Sequence, residues 1–259
     1  MNQSEKRLFL IQSLLNERPS CQKQSIPADP ERQKILLRGL MNVRRPAHIG
    51  TAFLQVQDEY LQNETAAKGI TDIADLTPIQ QGLYLWQGDI TTLKCDAIVN
   101  AANAGLTGCY IPNHRCIDNA IHTFAGVELR LACGELMEQQ GYPEPTGQAK
   151  ITPAFNLPCK YVLHTVGPII SGRVTKEDKE LLASCYRSCL ELAAGNDLES
   201  VAFCCISTGE FHFPNQQAAQ IAVETVKQFM NTKTSVKKVI FNVFKDLDKE
   251  IYARLLGAN

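Results

Sequence analysis

The sequence predicts an α/β fold: a mixed, mostly parallel sheet covered by helices on both faces, with a helical extension in front of it. Three observations carry this. From residue 82 onward, short apolar runs alternate with longer amphipathic stretches, the texture of strand–helix–strand units. The run Ala97-Ile98-Val99 shows no polar alternation, as in a strand buried on both faces. Residues 1–80 differ in character and read as helices.

The 259-residue chain is long enough to bury a sizeable core. Its 26 basic and 27 acidic residues nearly cancel, so no global field favours nucleic acid or an anionic membrane. No run of eighteen apolar residues occurs, which excludes a membrane-spanning helix. The start, Met1-Asn2-Gln3-Ser4-Glu5-Lys6-Arg7, turns polar too quickly for a secretory signal. Ten cysteines, mostly within apolar runs, are therefore expected as reduced thiols, and the expected compartment is the cytoplasm.

In order, an amphipathic helix is expected through about Asn16. A second opens at Asp29-Pro30-Glu31, a capping acid followed by proline and a first-turn acid. Leu36, Leu37, Leu40 and Met41 form its apolar face, and Arg44-Arg45-Pro46 stops it. A third spans 51–68 and ends at Gly69. This part carries no chemical motif and is expected to pack on the main domain, 81–259. There, strands are expected at 83–87, 95–100, 149–153, 161–165, 201–206 and 239–244. Helices are expected from near Arg115 and over 127–140, 176–194, 216–231 and 249–256. Cys133, Cys185, Cys189, Cys204 and Cys205 fall on apolar faces of these elements and are read as core residues. His164, ending a strand, is read as a core histidine.

The sharpest chemical signal follows the strand that ends Asn100-Ala101-Ala102-Asn103. Cys109, His114 and Cys116 form C-x4-H-x-C, two thiolates and an imidazole of the kind that suits zinc. Three ligands with no obvious fourth nearby describe a metal with an open position, and two core thiols beside an incidental histidine are the competing reading. Asp118 then sits in the first turn of a helix, where the dipole favours an acid. The stretch Ser207-Thr208-Gly209-Glu210-Phe211 lies between a strand and a helix, where backbone amides can face an anion; a bare turn is the alternative.

Taken together, Gly88-Asp89-Ile90-Thr91, the strand ending N-A-A-N, Thr146 to Thr152, Tyr161 to Pro168 and Ser207 to Pro214 resemble the macrodomain family in the family's own order, over about residues 82–257. Specifically, the chain is similar to the zinc-dependent branch of bacterial ADP-ribosyl hydrolases. The resemblance implies a three-layer α/β/α macrodomain with a mixed central sheet. Where zinc-free hydrolases of the family carry a run of glycines, this chain carries Cys109 to Cys116, with Asn103 and Asp118 kept on either side. The implied roles follow residue by residue. Asp89 would meet the adenine amine, Ile90 would sit beside the ring, and Phe244 would lie against its face. The amides of Ser207, Thr208, Gly209, Glu210 and Phe211 would hold the diphosphate. Asn103 would bind the distal ribose, Asp118 would approach its anomeric carbon, and zinc would rest on Cys109, His114 and Cys116.

The resemblance implies removal of ADP-ribose from a modified, acidic protein side chain. It also suggests a lipoyl-carrying partner modified by a sirtuin-type transferase. Three alternatives stay open: a reader that binds ADP-ribose without cutting it, a deacetylase of O-acetyl-ADP-ribose, and a purely structural zinc.

Overall fold

The computed structural model describes residues 1–17 and 25–257, so Cys21 lies outside the described residues. Helices α1 (Gln3–Asn16), α2 (Pro30–Val43) and α3 (Thr51–Lys68) open the chain. The starts of α1 and α2 are capped by the side chains their local sequence offers, whereas α3 opens at Gly50 without one. Asn2 and Glu5 form a reciprocal capping box on α1, and the Asp29 carboxylate accepts from Arg32 N ahead of Pro30 on α2. Leu10, Leu14, Leu37, Met41, Phe53 and Tyr60 belong to a small core of their own, which Val127 from the rest of the chain joins.

Two short strands, β1 (Thr71–Asp72) and β3 (Leu93–Lys94), pair in parallel. Two-residue strands carry no periodicity, so nothing in the residue pattern announces them. The main sheet contains β2 (Leu83–Gln87), β4 (Ala97–Ala102), β5 (Ala149–Pro153), β6 (Tyr161–Val166), β7 (Ser200–Phe203) and β8 (Lys238–Val243). Its order is β2-β8-β7-β4-β6-β5; every pairing is parallel except that of β5 with β6 at the edge. Helices α4 (Ile117–Ala125) and α5 (Val127–Gln140) pack together, and α4 is backed by α2. Helices α6 (Lys176–Gly195), α7 (Asn215–Met230) and α8 (Asp246–Leu256) form a second helical layer. Between the layers, Val99, Leu163, Val201 and Ile240 are completely buried. Among the described residues, nine cysteines are free thiols, and no helix is long and apolar enough to cross a membrane.

Element ends differ from expectation where loops begin. β4 runs on to Ala102, whereas β7 stops at Phe203 because the chain bends toward Ser207, which takes a left-handed φ of +63°. α8 starts at Asp246, where two acids, Asp246 and Asp248, occupy its first turn. Asp96, just ahead of β4, fixes the register of three strands. Its Oδ2 accepts from Glu199 N and Ser200 N at 3.0 Å each, and its Oδ1 accepts from Lys160 Nζ at 2.7 Å. Burial alone would raise this carboxyl's pKa, but Lys160 and Ser200 hold it below the usual range.

Because five strands are parallel, their carboxyl ends share one edge of the sheet. Asp89, Asn103, Gly167, the 204–214 loop and Phe244 all follow that edge. The chain leaves β4 to build β6 on one side and then β7 on the other, so the crevice beyond β4 is a topological switch point.

A polar rung crosses the sheet below this edge. Asn100 Nδ2 lies 3.2 Å from His164 Nδ1, and Thr152 Oγ1 lies 2.9 Å from His164 Nε2. An amide NH2 only donates, so Nδ1 accepts and Nε2 carries the proton toward Thr152. Burial lowers the His164 pKa to about 3. Its unfolded-state value is about 6.5, so below that pH the unfolded chain takes up a proton the native state refuses. This contribution to stability is fully present above pH 6.5 and declines as the pH falls. Between pH 7.5 and 5, wild-type protein should lose about 2 kcal/mol more than His164→Gln, measured by urea denaturation at both pH values. Equal losses in the two proteins would rule out a neutral buried His164.

Candidate functional site

The site grows from the turn between β4 and α4. The apolar run of β4 is buried through Asn100, and the strand surfaces at Asn103. Asn103 Oδ1 accepts from Gly105 N at 2.9 Å, which leaves its amide to donate to Gly108 O at 3.2 Å and Asp118 Oδ2 at 3.3 Å. Asp118 Oδ1 accepts from Asn100 Nδ2 at 2.8 Å. Two asparagines of one strand end therefore hold one carboxylate in the first turn of α4. Burial raises the Asp118 pKa to about 6, against the opposing pull of Asn100, Arg130 and Asn103. One turn further, His122 Nε2 is 3.6 Å from Asp118 Oδ1. Burial, with His164 and Arg130 nearby, keeps the His122 ring neutral. Both its ring nitrogens are buried without a hydrogen-bond partner among the described residues.

Above this carboxylate lies the loop 109–116. Cys109 Sγ is 3.6 Å from His114 Nδ1, and one ligand atom each from Cys109, His114 and Cys116 lies within 4.8 Å of the other two. Cys116 caps α4, its sulfur accepting from Asn119 N at 3.4 Å, a place usually taken by Ser, Thr, Asp or Asn. Burial, reinforced by Cys109 and Asp118, pushes the Cys116 thiol up to about 12 despite that amide. Tetrahedral zinc at about 2.3 Å from sulfur and 2.0–2.1 Å from nitrogen spaces its ligand atoms roughly 3.4–3.8 Å apart. The Cys109–His114 separation already falls in that range. The donor set fits a metal ion, with three protein ligands in the cluster among the described residues.

The loop after β7 meets this one, with Glu210 Oε1 3.7 Å from His114 Nε2. Among the described residues, no group accepts from the backbone amides of Ser207, Gly209, Glu210 or Phe211, whereas Thr208 N donates to Cys205 O. Such a run of free N–H groups is a cradle for an anion. Ser207 and His212, at φ +63° and +57°, give the loop its curl.

The remaining predicted residues lie along the same edge but at other depths. Asp89 caps a short 3-10 turn (Ile90–Thr92), with Oδ1 accepting from Thr91 N and Thr91 Oγ1 and Oδ2 paired with Lys68 at 3.1 Å. Ile90 is buried in the core, so it forms floor rather than rim. Phe244 is exposed at the end of β8. Asn242 Nδ2 donates to Gly88 O at 3.0 Å, tying the Asp89 turn to the Phe244 strand. Residue patterns alone did not single out Arg38, Lys68, His122 or Arg130. Lys68 Nζ stacks on Phe124, 3.2 Å from its ring centroid, and Arg130 lies over Tyr110. Arg38 and Lys68 come from helices without a motif, and their neighbours are remote in sequence.

The Macro domain family matches residues 99–222, from β4 into α7. A protein-ADP-ribose hydrolase from Treponema medium is 58% identical, over 99% of this chain and 100% of its own length. A protein-ADP-ribose hydrolase from Staphylococcus aureus is 49% identical over 94% of this chain and 92% of its own. Among solved structures, an Oceanobacillus iheyensis macrodomain with ADPR is 39% identical with a TM-score of 0.63, covering 70% of this chain and 96% of its own. With its family match and its relatives' identity over nearly the whole length, this chain belongs to the macrodomain family.

Proposed function

We propose that the protein is a zinc-dependent hydrolase that removes ADP-ribose from a modified protein side chain, cutting at C1″ of the distal ribose. The observation that carries this reading is a convergence. A buried carboxylate held by two asparagines, a three-donor loop and a loop of free amides meet beyond β4. The name of the Treponema medium relative and the ADPR in the Oceanobacillus iheyensis structure support both the reaction and the nucleotide.

In this reading the free amides of Ser207, Gly209, Glu210 and Phe211 hold the diphosphate, whereas that of Thr208 is already bound to Cys205 O, and Asp89 Oδ2, already facing Lys68, meets the adenine amine. Ile90 forms the floor and Phe244 the exposed wall of the adenine end. Asn103 binds the distal ribose. Cys109, His114 and Cys116 would hold the zinc, which when bound supplies a Lewis acid that orients and polarises the sugar. With a pKa raised to about 6, Asp118 is largely ionised near neutrality yet basic enough to accept a proton. Water oxygen bonds to C1″ and the bond from C1″ to the side-chain oxygen breaks. The side chain leaves as a carboxylate, and the water's proton rests on Asp118. Asn103 and Asn100 orient the carboxylate throughout.

We assign an acidic side chain as the linkage, and as partner a lipoyl-carrying protein modified by a sirtuin-type transferase, from the zinc-dependent branch the chain resembles. The cytoplasm, where thiols persist reduced, is the fitting compartment.

Asp118→Asn should lower kcat by about 10²–10⁴ while ADP-ribose still binds, measured by release from a modified acceptor and by calorimetry. Cys116→Ala should lose both zinc, by metal analysis, and turnover; full turnover by zinc-free Cys116→Ala would sink the catalytic role of the metal. Binding of ADP-ribose by active-site-intact protein without any release would instead make it a reader. Faster turnover of O-acetyl-ADP-ribose than of a modified protein would make it a deacetylase. A Cβ on Gly167 would collide with Ser207 Oγ. Gly167→Ala should therefore displace the amide loop and weaken ADP-ribose binding about tenfold, the loss of roughly one charge-assisted hydrogen bond.

A further inference from the structure

The loop 109–116 has one internal backbone bond, His114 N to Ile111 O at 3.2 Å, and several of its other backbone groups are bound from outside. Arg38 of α2 donates from Nη2 to His114 O at 3.0 Å and, through Nη2 and Nε, to Asn119 Oδ1 at 2.8 and 3.2 Å. Asn119 in turn donates from its backbone to Cys116 Sγ and from Nδ2 to Ile111 O at 3.1 Å. Asn42, on the next turn of α2, accepts from Asn113 N at 2.9 Å and donates to Thr123 Oγ1 at 2.9 Å. Asn113 holds a left-handed φ of +57°, so the bond to Asn42 falls where the loop is most strained. Between the two polar residues stands Gly39. A Cβ there would lie 3.1 Å from Asn113 Nδ2 and 3.7 Å from Pro112 Cβ, so the bare backbone is what lets α2 approach the loop.

A second tie comes from the sheet side and ends on the same helix. Arg130 donates from Nη1 to the carbonyls of Met41, Asn42 and Arg44 and from Nη2 to Cys109 O at 3.4 Å. The carbonyls of two of the three candidate ligands, Cys109 and His114, thus reach α2 either directly or through one side chain.

We propose that α2 is the outer wall of the metal socket: Arg38 and Asn42 are positioning residues that set the Cys109, His114 and Cys116 donors for metal, and Gly39 is their spacer. The inference rests on the reading of that loop as a metal site, and it gives the N-terminal helices a task beyond packing. Hydrogen-bonded partners behind metal ligands typically change affinity 10- to 100-fold when removed. Lysine offers no fork for His114 O and Asn119 together, so Arg38→Lys should not restore what Arg38→Ala loses.

The test uses the full chain loaded with Zn2+ or Co2+, with metal retention read by competition against a chromophoric chelator. Arg38→Ala should release Zn2+ about 10- to 100-fold more readily than wild type, and its Co2+ form should show altered thiolate-to-cobalt absorption. Gly39→Ala separates positioning from stability. Alanine favours helix over glycine and should raise the melting temperature, while its Cβ presses on Asn113 and should lower metal retention. Wild-type retention and an unchanged Co2+ spectrum in both variants would overturn the inference. Retention that falls only in step with melting temperature would overturn it too. Wild-type protein that takes up no Zn2+ at all would instead overturn the metal reading on which the inference stands.

Discussion

A carboxylate taken out of water at the start of a helix governs the architecture of this molecule. Asp118 is nearly fully buried, a position that disfavours its charge, and three things compensate: Asn100, Asn103 and the amino end of α4. To bring two asparagines to one carboxylate, β4 must end exactly where its side chains stop facing apolar neighbours, and α4 must start close behind it. The parallel sheet makes this affordable in geometric terms, since β6 and β7 flank β4 on either side and fix its end.

Strain and unpaired groups gather around that point. Leu106, Asn113, Ser207 and His212 all carry positive φ values of 53° to 63°, and all lie in the two loops that meet over the crevice. Asn100 Oδ1, both His122 nitrogens and Ser207 Oγ are buried without partners among the described residues. A chain selected for stability alone would lose by keeping these, each at a cost of about 1–3 kcal/mol. Most lie near this edge of the sheet, while Phe155 and Asp197 also take positive φ and Thr65 Oγ1 and Tyr186 OH also lack partners among the described residues.

The elements with strong periodicity were legible in the residues. The parallel core strands, the capped start of α2 and the core thiols Cys133, Cys185 and Cys189 follow from apolar runs and cap chemistry. The proximity of Cys109, His114 and Cys116 was readable because all three fall on one short segment. What could not be read is what long-range packing decides. Nothing local says that β7 ends at Phe203, or that Lys68 meets Asp89. Nothing local pairs Arg38 with residues far along the chain either, because a guanidinium on a helix is ordinarily a solvated charge. Ile90 was legible as apolar but not as floor or rim, since a one-residue change of facing in a tight turn decides it.

Charge balance ties the carboxylate, the loop and the N-terminal helices into one design. Two thiolates cancel a divalent ion, so a dithiolate–imidazole centre is nearly neutral and acidifies water less than one built from neutral ligands. In the proposed reaction proton transfer then falls to Asp118, whose pKa near 6 suits it to the task and whose environment is set by residues outside the loop. Fixed cations also face the carboxylates at this edge, the buried Asp118 and Asp89. Arg130 supplies one from α5, contacting Cys109 O and lowering the Asp118 pKa. Arg38 supplies the other from α2, its charge felt at both Cys116 and Asp89. Burial works against each guanidinium, and neutral carbonyl and amide oxygens of the loop, of Asn119 and of α2 take its hydrogen bonds. The N-terminal helices therefore bring positive charge as well as apolar surface to the main domain, at the end of the crevice where negative charge accumulates.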